Sequence, residues 1–118
     1  MKKYVIAFFL FCFATAVYAT PPQDMKATYS NGVLDVKMRH VTSETREHYI
    51  RTIRVTVNNG EPKVFRYPFQ KYASEFEASI TIALNPGDKV VVRAECKQGG
   101  SAEVELSIYA DNDAATGK

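Results

Sequence analysis

The sequence predicts an all-β chain, and three observations carry that prediction. Apolar residues recur at every second position in one run after another. Helical periodicity is almost absent. Clusters rich in Asn, Gly and Pro separate several of the runs. The runs recur at intervals of roughly ten residues, the spacing of a single antiparallel sandwich rather than of alternating strands and helices.

A short strand is expected around "MKATY". "GVLDVKMRH" alternates next, with Leu34, Val36, Met38 and His40 on one face and Asp35, Lys37 and Arg39 on the other. "RTIRVTVNNG" sets Ile53, Val55 and Val57 inward and stops at Asn58-Asn59-Gly60, residues that tolerate the positive φ of a tight turn. "KVFRYPF" resumes as a strand, and Pro68, which cannot donate to a ladder, moves it to a sheet edge. In "EFEASITIAL" the inward set is Phe76, Ala78, Ile80, Ile82 and Leu84. "NPGD" follows as a turn, because proline presets φ and glycine takes the position that other residues avoid. "KVVVRAEC" and "AEVELSIYA" complete an immunoglobulin-like antiparallel β-sandwich of about seven strands.

The first nineteen residues have the parts of a secretory signal: Lys2 and Lys3, the apolar "VIAFFLFCFATA", and Val17 and Ala19 where signal peptidase reads small side chains. The apolar run is too short to span a bilayer comfortably. The expectation is a signal peptide at 1–19, a sandwich at 20–110 and a flexible C-terminal tail at 111–118. The product would be periplasmic or secreted, with no membrane anchor after cleavage. Loss of Lys2 and Lys3 takes the formal charge from +2 to zero. Interspersed charges of balanced sign exclude the electrostatic footprint of a nucleic-acid binder. Cleavage also removes Cys12, leaving Cys96 as the lone thiol. Without a disulfide framework, packing and sheet hydrogen bonds must hold the domain.

Candidate chemistry is sparse. His40 ends one inward row and Cys96 ends another, so the two could meet at one end of a sandwich. His48 lies on "VTSETREHY", a loop or short helical turn between two core strands. Imidazole and thiolate are good ligands for iron, copper or zinc, and three protein ligands suffice for an ion with an open position. A buried cysteine is equally at home as a small core hydrophobe. No tight ligand-spacing motif chooses between these readings. Ser43, Thr45 and Ser101 neighbour the histidines and the cysteine in sequence only, so no nucleophile–base pair is assigned and no catalytic residue is expected. Loops on rigid sandwiches commonly carry binding function, which makes Glu44, Arg46, Glu47 and Tyr49 candidate contacts for a protein partner.

"RHVTSETREHYIRTIRV", followed some way on by "AECKQGG", resembles the iron-binding domain of superoxide reductase (desulfoferrodoxin), through His40, Glu47, His48, Tyr49, Ile50, Ile53, Val55, Cys96 and Gly100. "HYIRTIRVTVNNGEPKVF" is also similar to the sulfur-oxidation subunit SoxZ, a related sandwich that holds a carrier partner. The first resemblance implies an immunoglobulin-like fold with four histidines in a plane around ferrous iron and an axial cysteine. Carried over, Cys96 matches the axial ligand and His40 and His48 match a histidine pair. Gly99 stands at another histidine position, Lys97 replaces an asparagine, and no histidine precedes His40. The resemblance therefore implies a degenerate centre, with at most His40, His48 and Cys96 as metal ligands. The leading expectation is a non-catalytic binding or accessory module that requires no cofactor. The alternatives are an iron- or copper-binding redox protein and a SoxZ-like scaffold for a sulfur-carrier partner.

Overall fold

The computed structural model describes residues 21–109 and 114–115; the expected signal segment lies outside them. The described residues form eight strands: β1 (Gln23–Ser30), β2 (Val33–Arg39), β3 (Ile50–Val57), β4 (Lys63–Arg66), β5 (Glu75–Thr81), β6 (Lys89–Cys96), β7 (Ser101–Ser107) and β8 (Ala114–Ala115). They pair antiparallel in two four-stranded sheets, ordered β5-β2-β1-β8 and β4-β3-β6-β7. The chain is thus all-β, and its two sheets form a sandwich.

The alternating residues make its core. Leu34, Val36 and Met38 from β2 are buried against Ile53, Val55, Val90, Val92 and Ala94 from the other sheet. The row on β2 ends in His40, only 1% exposed, and the row on β6 ends in the buried Cys96. Each apolar side chain of this kind contributes about 1.5–3 kcal/mol on burial, so the registers are strongly specified.

Turns follow their residue chemistry. Asn58 and Asn59 have φ of 51° and 61°, and the Gly60 N–H donates to the Val57 carbonyl at 2.9 Å. Asn31 and Gly32 close the β1–β2 hairpin with φ of 53° and 80°, a two-residue Asn-Gly connection that suits the strand twist. β4 is an edge strand and stops before Pro68. Two residues of the expected tail, Ala114 and Ala115, instead pair with Tyr29 and Thr28 as β8.

One irregularity matters for the site. In β3, Ile50 pairs with Cys96 but Thr52 pairs with Glu95, so Arg51 is an extra residue on its strand. This β-bulge lets Ile50 and Ile53, three positions apart, both lie fully buried.

Candidate metal centre

The site lies at the end of the sandwich where β2 finishes, β3 begins and β6 finishes. Residues 41–49 bridge β2 and β3 through a single helical turn, in which the N–H groups of Glu47 and His48 both donate to the Glu44 carbonyl at 3.0 and 2.8 Å. The Glu44 N–H donates to the Thr42 hydroxyl at 3.0 Å, a local cap that starts the turn. The turn carries His48 inward until its ring meets His40 edge-on, with centroids 4.9 Å apart at 89°.

Cys96 arrives from the other sheet. Its backbone N–H donates to the Gly100 carbonyl at 3.0 Å, and the Lys97 N–H reaches the Tyr49 carbonyl at 2.9 Å, tying the cysteine turn to the histidine loop. The turn closes through Gly99 and Gly100, with φ of 106° and 88°. A Cβ on Gly100 would also meet the Pro21 backbone at 3.2 Å. Gly99, at a histidine position of the resembled family, is spent on chain reversal.

The ligand atoms of His40, His48 and Cys96 all lie within 4.8 Å of one another. Two donors bound at about 2.0–2.3 Å to one ion can be separated by no more than about 4.6 Å. A group gathered this closely could hold a metal ion. Burial pushes the Cys96 thiol above its ordinary pKa, opposed by a hydrogen bond involving the Gln98 backbone.

Gln70 is the residue beside the candidate centre that the sequence did not disclose. It is 1% exposed. Its amide nitrogen donates to the carbonyls of His40 and Tyr72 at 2.7 and 2.8 Å, which fixes the amide's orientation. Its oxygen then faces His40 Nδ1 at 2.8 Å and the Ile50 N–H at 3.4 Å. His40 Nδ1 must carry the proton, and in the neutral ring the lone pair is then on Nε2. A histidine so oriented by an outer partner is the usual arrangement at metal sites.

His48 Nε2 supplies a second sign. It is buried and has no hydrogen-bond partner among the described residues. A buried nitrogen left unsatisfied costs about 1–3 kcal/mol, whereas coordination to an ion would satisfy it.

The other candidates of this loop lie around the centre. The Arg46 guanidinium sits 4.7 Å from the Phe69 ring centroid, and Glu47 pairs with Lys97 at 3.7 Å. Glu44 is exposed. Tyr49 is buried, with the Lys97 ammonium 5.7 Å from its ring. No protein-family model, curated protein or solved structure matches the chain. The four-histidine iron plane of the resembled reductase does not fit, because the whole chain contains two histidines. The three donors of His40, His48 and Cys96 could hold a metal ion.

Proposed function

We propose that this chain is a metal-binding β-sandwich in which His40, His48 and Cys96 hold one transition-metal ion, copper by preference. Exported as the leader suggests, it would serve as a binding module. The observation that carries the reading is the convergence of one donor atom each from His40, His48 and Cys96 within 4.8 Å; His48 also holds a buried Nε2 with no hydrogen-bond partner among the described residues. Two imidazoles with one thiolate suit copper, which also heads the affinity order of first-row divalent ions. Iron is less favoured by so few ligands. The protein's own contribution is to orient His40 through Gln70 and to bury His40 and Cys96.

Competition titration of the purified protein against a chelator of known affinity tests this. One equivalent of copper should bind, more tightly than zinc or ferrous iron. Cys96→Ser should weaken it by about 100-fold or more, beyond what loss of an outer-shell partner usually does. Equal affinity in wild type and Cys96→Ser would overturn the reading.

A further inference from the structure

The outer face of the sheet that carries Cys96 bears a polar cleft of about 270 Å³, lined by Arg51, Thr52, Arg54, Arg66, Glu95, Cys96 and Lys97. Four of its seven lining residues are cationic. Strand alternation alone would not place Arg51 here, because neighbours along a strand point to opposite faces. The bulge at Arg51 changes this: Ile50 and Ile53 turn inward, while Arg51 and Thr52 both line the outer cleft. Bulges recur where a side chain must be re-aimed. Arg66 lies directly opposite Thr52 on the neighbouring β4. Thr52, only 5% exposed, lies deep among the longer side chains.

The charges are not balanced within the cleft. Glu95 is already engaged by Arg54 and by Arg93, each at 3.2 Å, and Lys97 pairs with Glu47. Burial works against the ionised Glu95, but these arginines hold its carboxyl below the usual range. Arg51 and Arg66 are exposed, and neither has an ion pair among the described residues. Two guanidinium groups on adjacent strands of a chain with little net charge are a local excess of positive charge. Each presents a planar fork of donors suited to the oxygens of an anion. The patch is a compact cleft rather than a stripe, which fits a small ligand better than a polymer.

We infer that this cleft is an anion site in which Arg51 and Arg66 grip a small free oxyanion of the sulfate or phosphate type, with Arg54 and Lys97 at its margins. The inference is independent of the metal centre, although Cys96 belongs to both walls.

The test uses metal-free protein at constant ionic strength, titrated with inorganic sulfate, inorganic phosphate or chloride while backbone amide shifts are followed. Saturable shifts centred on residues 51, 52, 66 and 97, with sulfate or phosphate at least tenfold tighter than chloride, are expected. The double variant Arg51→Gln/Arg66→Gln should lose that affinity by tenfold or more while keeping the amide spectrum of a folded sandwich. The single variant Arg93→Gln, outside the cleft lining, should bind within twofold of wild type. If the double variant does not fold, Arg51→Lys/Arg66→Lys provides the check, since it keeps charge but loses the fork and should weaken binding severalfold. Linear shifts that chloride reproduces, or unchanged affinity in the folded double variant, would overturn the site.

Discussion

The two ends of the sandwich treat buried polar groups differently. At the end remote from the cysteine, the Tyr29 hydroxyl donates to the Ile82 carbonyl at 2.8 Å and accepts from the Leu84 N–H at 3.1 Å. The nearby turns close in the same way: Asn58 and Asp88 join their side chains at 2.9 Å, and the Asn85 N–H reaches Asp88 at 2.8 Å. These bonds hold the sheets and turns without leaving a donor set open. At the cysteine end, His40 is locked by Gln70, yet His48, whose ring meets that of His40, has a buried Nε2 with no hydrogen-bond partner among the described residues. A satisfied buried network reads as structure. A preorganised cluster with an unsatisfied buried nitrogen is what the proposed metal site rests on.

Substitutions at the two ends should therefore separate binding from stability. The largest effect belongs to the ligands. Cys96→Ser and His48→Ala should each weaken copper by about 100-fold or more. His48→Ala should leave the metal-free protein as stable as wild type or slightly more so, because it removes an unsatisfied buried nitrogen; chelator competition and urea unfolding measure the two quantities. Next comes Gln70→Met, which removes the lock on His40 and should weaken metal binding by roughly 10–100-fold. It should also destabilise the fold, since the carbonyls of His40 and Tyr72 lose their donor. Gln70→Glu keeps an acceptor for His40 Nδ1 and should restore part of the affinity but not the stability.

Tyr29→Phe should do the reverse, costing about 1–3 kcal/mol in unfolding while metal affinity is unchanged. The smallest effect is at Asp88, where hydrogen bonds from the Asn85 backbone and the Asn58 side chain hold the exposed carboxyl below its ordinary pKa of 3.8. A depressed folded-state pKa gives stability that is present above the unfolded value and lost as pH falls through the folded one. Unfolding of Asp88→Asn should thus match wild type more closely at pH 3 and below than at pH 7.

Alternation made most of this fold legible, because a side-chain period of two is a local property. The inward placement of His40 and Cys96 followed from the same rule, as both end rows that are buried in the structure. Gln70 was not legible: its partner His40 is thirty positions away, and nothing in "YPFQKY" marks one glutamine as turned inward. The bulge left a trace in the three-residue spacing of Ile50 and Ile53, a break in strict alternation within "YIRTIRV". Ala114 and Ala115 gave no signal, since two small residues carry no pattern and owe their strand to the exposed edge of β1.

X-ray absorption of the copper-loaded protein reads the proposed His40, His48 and Cys96 ligation itself. One sulfur and two nitrogen scatterers from the protein are expected in the first shell, with the sulfur abolished in Cys96→Ser. A shell of nitrogen and oxygen only, unaffected by that substitution, would contradict it.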